Sequence, residues 1–194
     1  MNRVIVIEFI TLDGIVDDPD GSAGTPGGGW AFRHGPEAVA GDKFRLGERL
    51  DTGTLLLGRR TWQLFSRLFP LRADPFSTAM NRAPKAVAAR TPFDVAAWSN
   101  STLLDGDVTG ELPRLTDRGD VIVAGSVGLV RALIEKDLVD EFRLLVFPTL
   151  LGSGRALFGP GTPPADLRLV SVEQSGAAVL MRHERESSPV ATTR

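Results

Sequence analysis

The chain has 194 residues, 42% hydrophobic and 24% charged, the composition of a soluble globular domain and not of a disordered or fibrous chain. Its 22 Lys and Arg against 24 Asp and Glu leave a formal charge of −2, so no net field favours a polyanion and general nucleic-acid binding is disfavoured. Cysteine is absent and only His34 and His183 carry imidazole, which excludes disulfides, thiolate nucleophiles, zinc ribbons and a histidine-rich metal site while leaving carboxylate-bound magnesium open.

Short apolar runs alternate with longer helical patterns, which points to an α/β sheet packed on both faces. Val4–Ile10 reads as the first strand. Glu8 interrupts its apolar run too early for a signal peptide, and no run reaches the ~18 residues of a membrane span, so a cytoplasmic protein is expected. From Thr11 to Gly35 the turn pairs Asp13-Gly14 and Asp20-Gly21 and the triplet Gly27-Gly28-Gly29 predict a long mobile loop, either a lid or a plain surface excursion. Pro36–Leu50 carries a helical stripe of Val39, Phe44, Leu46 and Leu50, ended by Gly53. Thr54–Leu57 is a buried strand, Gly58 a turn, and Trp62, Phe65, Leu68 and Phe69 mark the apolar face of the next helix.

Pro70 and Pro75 bracket a loop, a short helix spans Phe76–Arg82, and Lys85–Ala89 is a strand. Asp94–Ser101 reads as a loop and Thr102–Leu104 as a minor strand. Asp120–Ala124 is buried strand, followed by Gly125 and a helix with Val130, Leu133, Ile134 and Leu138 on one face. Glu141–Pro148 is a further strand, and Leu167–Gln174 with Ala177–Glu184 forms a terminal hairpin about Ser175-Gly176. The expected organisation is a single domain over 1–186 and a flexible tail over 187–194.

In an open α/β sheet, ligands collect where strands end and the following helices present free N–H groups. At Gly58-Arg59-Arg60-Thr61 two arginines open a helix, where a cation is unfavourable by roughly 0.3–1 kcal/mol unless an anion is present. A phosphate would satisfy them, with Thr61 donating to it or capping the helix. Alternatively, one arginine pairs with Glu48 or Asp51 and the other is solvated. At Gly125-Ser126-Val127-Gly128-Leu129 the glycines let backbone approach a ligand closely, although Gly-Ser at such a corner is also ordinary capping; the Gly-x-Gly-x-x-Gly fingerprint is not met. Arg90 and Thr91 stand just beyond a third strand. Were the three strand ends neighbours, they would surround one elongated phosphorylated ligand.

Gly58-Arg59-Arg60-Thr61-Trp62, the strand ending at Arg90-Thr91, Gly125-Ser126 before a helix, and Leu138-Val139-Asp140-Glu141 through Pro148 to Leu151-Gly152-Ser153-Gly154-Arg155 together resemble the dihydrofolate-reductase-like family. The similarity is greatest to the branch of the C-terminal reductase domain of the bifunctional riboflavin-biosynthesis enzyme, and covers about Val4 to Glu184. It implies a three-layer α/β/α fold around a mixed, mostly parallel sheet with a C-terminal antiparallel hairpin, bound NADPH and a homodimer. It implies that Gly58, Arg59, Arg60 and Thr61 meet cofactor phosphates, that Arg90 and Thr91 lie near the 2′-phosphate, and that Gly125, Ser126, Val127 and Leu129 line the pyrophosphate. NADPH is expected over NADH, because NAD sites carry an acid at the ribose edge where arginines stand here. Ala89 replaces a serine that many relatives have before the arginine.

For the reacting end, Thr11-Leu12-Asp13-Gly14 resembles the Ser-Leu-Asp-Gly of riboflavin-type reductases, placing Asp13 and Gly14 near the nicotinamide. Asp13 would orient a heterocycle or relay a proton if a closed site raised its pKa; the other reading is a turn pair. Trp30 and Phe32 are candidates to stack on a flat substrate, or else anchor the loop. Asp42, Glu48 and Asp51 sit in no motif that transfers the acid of true folate reductases. His34 reads as a surface-loop residue and His183 as structural, and Arg155 is a candidate contact to substrate or a partner subunit. No metal site is expected, and the zinc deaminase of fused enzymes is excluded for want of cysteines. The expectation is an NADPH-dependent reductase of a small heterocycle, against a non-catalytic NADPH- or nucleotide-binding module.

Overall fold

The structure is a computed structural model and describes residues 2–186; the expected tail, 187–194, lies outside them. Its strands are β1 (Val4–Thr11), β2 (Thr54–Gly58), β3 (Lys85–Ala88), β4 (Ser101–Leu103), β5 (Val121–Val123), β6 (Glu141–Phe147), β7 (Leu167–Ser175) and β8 (Ala178–Arg185). The helices are α1 (Arg49–Thr52), α2 (Arg59–Leu68), α3 (Pro75–Arg82), α4 (Val108–Thr116) and α5 (Val127–Glu135).

The strands form one mixed sheet in the order β4-β3-β2-β5-β1-β6-β8-β7. All pairs from β4 to β6 are parallel, and the β8–β7 hairpin closes the sheet antiparallel. Because successive residues point to opposite faces, the central strands are apolar on both. Ile5, Leu55, Leu57 and Ile122 pack on one side beneath Leu50 of α1, Trp62 of α2 and Met80 of α3. Val4, Leu56, Val121 and Val123 pack on the other beneath Leu112 of α4 and Leu133 of α5. This is the expected three-layer α/β/α arrangement.

Two local expectations need correction. Pro36–Leu50 is not a helix: a 3-10 turn at Pro36–Ala38 and α1 are its helical parts. Between them Gly41, Arg45 and Gly47 have φ of 70°, 54° and 52°, and the Asp42 carboxylate accepts the N–H groups of Leu46 and Gly47 at 2.9 and 2.8 Å. The stripe of Phe44, Leu46 and Leu50 is buried as expected, but the buried Arg143 takes the Phe44 and Arg45 carbonyls that a helix would have used. Conversely α4 forms where no helix is expected, because Gly110 and Pro113 inside it mask the pattern. Asp107 caps it by accepting the Thr109 N–H.

The Thr11–Gly35 loop is organised from within. Asp18 accepts the N–H groups of Ala23 and Thr25 at 2.8 and 2.9 Å and the Thr25 hydroxyl at 2.9 Å. Trp30 is fully buried, donates its indole N–H to the Asp17 carbonyl at 2.7 Å, and meets the edge of Phe147.

Candidate functional site

β2 and β5 are neighbours in the sheet, but their helices diverge: α2 leaves over one face and leads to β3, α5 over the other and leads to β6. A crevice therefore opens at their carboxyl ends, the switch point where open α/β sheets bind ligands. Its two sides are joined by Gly58, whose N–H donates to the Gly125 carbonyl at 2.8 Å. A Cβ on Gly58 would stand 2.0 Å from the Ser126 Oγ, so only glycine lets the two junctions approach this closely. Gly125 has φ of 90°, and a Cβ on it would lie 3.0 Å from the Thr61 Oγ1.

β3 adjoins β2, and this places the third strand end beside the crevice. Arg59 Nη1 donates to the Thr91 Oγ1 at 3.0 Å, and its guanidinium lies 4.5 Å from the Phe93 ring centroid. That Phe93 supports Arg59 could not be read from the sequence, because a loop aromatic separated from it by a strand carries no periodic signal. Arg60 and Arg90 are exposed. The alternative in which Asp51 neutralises one of the arginines is not what forms: Asp51 pairs with Arg82. Among the described residues neither Arg59 nor Arg60 makes an ion pair, so two adjacent guanidinium groups open α2 without a carboxylate.

Across the crevice, Val127 and Leu129 turn their side chains into the core, and the Leu129 N–H is taken by the Ser126 carbonyl at 2.8 Å. What α5 presents is therefore the backbone at Ser126, Val127 and Gly128, whose first N–H groups an α-helix leaves without partners. The set Gly58, Arg59, Thr61, Thr91, Gly125 and Ser126 is thus one constellation, with Arg60 and Arg90 exposed beside it. It fits a phosphorylated dinucleotide: bare backbone at two helix starts, and positive charge with no counter-ion among the described residues.

Toward the other side of β5, β1 and β5 pair only as far as Val6 and Val123, while β1 stays paired with β6 to Thr11. Beyond Val6 the two strands part. Asp13 follows this open edge and is fully engaged: its carboxylate accepts from the Thr11 hydroxyl and from the Leu151 and Gly152 N–H groups at 3.0 and 2.7 Å. The Thr11 hydroxyl and then the Gly152 N–H hold it below the usual carboxylate range, so the expectation of a raised pKa is corrected. Asp13 is an ionised tie between two loops, and its turn with Gly14 (φ 84°) is the reading the geometry supports.

Trp30 has no exposed face to offer a substrate, which corrects its stacking role; Phe32 is 55% exposed. His34 Nε2 lies 2.8 Å from the Thr149 hydroxyl. Arg155 pairs with Asp17, and His183 stands on β8 with a buried Nδ1 that has no partner among the described residues. A cleft of about 740 Å³ lies apart from the crevice, beside Leu50, Phe69, Asp74 and Phe76, and another of about 550 Å³ beside His34, Glu37 and Gln174.

The residue that sequence reasoning missed is Glu8. Among the described residues its Oε1 is shut off from solvent and has no hydrogen-bond partner, and it lies 3.6 Å from the point a Gly125 Cβ would occupy. Burial pushes its carboxyl up to about 8, against a smaller opposing pull from Arg155. The one available signal was an acid inside an otherwise apolar central strand. Among the described residues, no group of three or more His, Asp or Glu is arranged to hold a metal ion, and no helix is long and apolar enough to cross a membrane.

Comparison with known proteins agrees with this architecture. Residues 2–181 match the family model described as the RibD C-terminal domain. The chain is 25% identical over 190 residues to the uncharacterised protein YyaP of Bacillus subtilis (strain 168), covering 93% of this chain and 94% of that one. It is 28% identical over 185 residues to YwjB of the same organism, covering 94% and 98%. Among solved structures, a putative riboflavin biosynthesis protein from Shewanella sp. PV-4 superposes with a TM-score of 0.68 at 21% identity, covering 95% of this chain and 99% of that chain. The dihydrofolate reductase of Enterococcus faecalis, solved with NADP(H), gives 0.55 at 14% identity, covering 95% and 97%. The match extends across nearly the whole described chain and includes the crevice, and the chain belongs to the RibD C-terminal domain family, a family of reductase type.

Proposed function

We propose that the β3–β2–β5 crevice binds NADPH and that the protein is an NADPH-dependent oxidoreductase acting on a small cyclic or heterocyclic acceptor. The observation that carries this reading is the convergence of Arg59, Arg60, Arg90 and Thr91 on adjacent strand ends, opposite the bare backbone of Gly125 and Ser126. NADPH supplies a hydride when bound. Arg60 and the α2 terminus hold the pyrophosphate, Arg59 is braced by Thr91 and Phe93, and Arg90 with Thr91 takes the 2′-phosphate. Phe32 and the exit of β1 at Gly14 border the acceptor's space.

Titration of the protein with NADPH and NADH at one salt concentration tests the cofactor. Tighter binding of NADPH is expected, and equal affinities overturn the preference. Following NADPH absorbance against folates, pterins, pyrimidines and quinones tests turnover. A second reading, a non-catalytic NADPH- or nucleotide-binding module, is favoured by the full engagement of Asp13, which removes the expected acid. Binding without turnover across that panel would select it.

A homodimer is part of the same proposal. The β7 edge exposes Leu167, Leu169 and Val172, and a second copy of the chain covers this face. Light scattering at micromolar concentration checks it, with a monomer mass as the contrary result. A cytoplasmic location accords with the absence of cysteine.

A further inference from the structure

The strand order gives the crevice a direction. β3, β2, β5 and β1 lie side by side, so their carboxyl ends span three inter-strand steps, roughly 14 Å at about 4.8 Å each. A dinucleotide with its 2′-phosphate at Arg90 and its pyrophosphate between Arg60 and Ser126 brings its nicotinamide to the β5–β1 end. There the sheet is already open, since β1 and β5 separate after Val6 and Val123.

Glu8 borders that opening. It lies two residues beyond the last β1–β5 pair, and its unpartnered Oε1 and the Thr61 hydroxyl flank the same side of Gly125, within 3.6 and 3.0 Å of one point. Among the described residues its Oε1 has no hydrogen-bond partner: the basic group that acts on the carboxyl, Arg155, is paired with Asp17 and forms no hydrogen bond with it. A buried polar oxygen without a partner costs roughly 1–3 kcal/mol, so a group retained in that state beside a ligand crevice points to a partner supplied by the ligand.

We propose that Glu8 is a cofactor-contacting residue whose neutral carboxyl donates its O–H to the carboxamide oxygen of the nicotinamide. The inference rests on the NADPH reading above. The desolvation that keeps the carboxyl protonated at neutral pH is what makes it a donor. The contact fixes the rotation of the carboxamide, and hence of the ring, relative to Gly125 and Thr61.

The test compares NADPH with adenosine 2′,5′-bisphosphate, which carries the 2′-phosphate but no nicotinamide, on wild type, Glu8→Leu and Glu8→Gln by titration calorimetry. Glu8→Leu is expected to weaken NADPH roughly tenfold and leave the bisphosphate unchanged, while Glu8→Gln, which keeps a donor, stays within about threefold of wild type for both. Equal NADPH affinity of Glu8→Leu and wild type overturns the Glu8 contact and leaves the cofactor reading intact. Parallel loss of both ligands in Glu8→Leu with unchanged binding in Glu8→Gln also overturns it, since the adenosine end does not touch Glu8. Failure of wild type to bind either ligand overturns the NADPH reading itself.

Discussion

A Cβ on Gly58 would lie 2.0 Å from the Ser126 Oγ and 2.8 Å from the Ser126 nitrogen, so the start of α2 and the start of α5 are in direct backbone contact. This contact fuses two glycine-marked corners, at Gly58 and Gly125, into one crevice. Gly58→Ala must therefore push β2 from β5. A loss of about 1–3 kcal/mol in urea-denaturation stability is expected, together with weaker NADPH binding. Wild-type stability in the variant would show that the corner yields freely.

Arg60 and Arg90 are exposed and have no carboxylate partner among the described residues. Removing either side chain should leave the melting temperature nearly unchanged, as exposed substitutions away from packed features do. The ligand should feel it. Arg90→Ala is expected to weaken NADPH about tenfold and NADH hardly at all, whereas Arg60→Ala should weaken both. Equal effects of Arg90→Ala on the two cofactors would remove this residue from the 2′-phosphate.

The raised Glu8 pKa makes stability fall with pH. The folded carboxyl holds its proton up to about 8 while the unfolded one releases it near 4.5, so between those values the native state binds one more proton. Its stabilising effect is complete below pH 4.5 and lost as pH rises through about 8, at up to ~1.4 kcal/mol per pH unit. Chemical denaturation at pH 5, 6, 7 and 8 should show the decline in wild type and a shallower one in Glu8→Gln. Identical slopes would place the Glu8 carboxyl in solvent.

Glu141 acts in the opposite direction. It is wholly buried and accepts from Arg143 Nε at 2.6 Å and Arg182 Nε at 2.7 Å. Burial pushes its pKa up, but the hydrogen bonds from Arg182 and Arg143 outweigh it and hold the carboxylate below the usual range. Its contribution is present above pH 4.5 and is lost as acid titrates it. Glu141→Gln leaves the buried Arg143 without its counter-charge, and about 3–5 kcal/mol of stability should disappear in urea titration at pH 7.

Asp13 links the turn after β1 to the Leu151-Gly152 turn through its carboxylate. Asp13→Asn should lower the urea-denaturation midpoint while adding no new limb to a pH–rate profile between 5 and 9. A lost acid limb in that variant would restore Asp13 as a proton donor.

The sheet was legible because central strands read as continuous β-branched and apolar runs, and the glycines and arginines at Gly58-Arg59-Arg60 and Gly125-Ser126 stand directly after two of them. The same local pattern failed over Pro36–Leu50. There Asp42 and Arg143 bind the peptide groups a helix needs, and Arg143 is about a hundred positions away, outside any window of periodicity. Lys85 likewise reads as a strand start, yet its ammonium is buried, donating to the carbonyls of Asn81, Ala83 and Ser99 at 2.9, 2.7 and 3.1 Å.

The alternation of buried strands and amphipathic helices, and the residue types that cap each strand, are written in the order of amino acids, because both follow from near-neighbour spacing. It is the folded chain that sets β3, β2, β5 and β1 side by side, spends Asp13 on a loop contact, and leaves Glu8 Oε1 beside Gly125 without a partner among the described residues. Those outcomes depend on strand order and on the desolvation of single atoms, quantities set by parts of the chain more than a hundred residues apart.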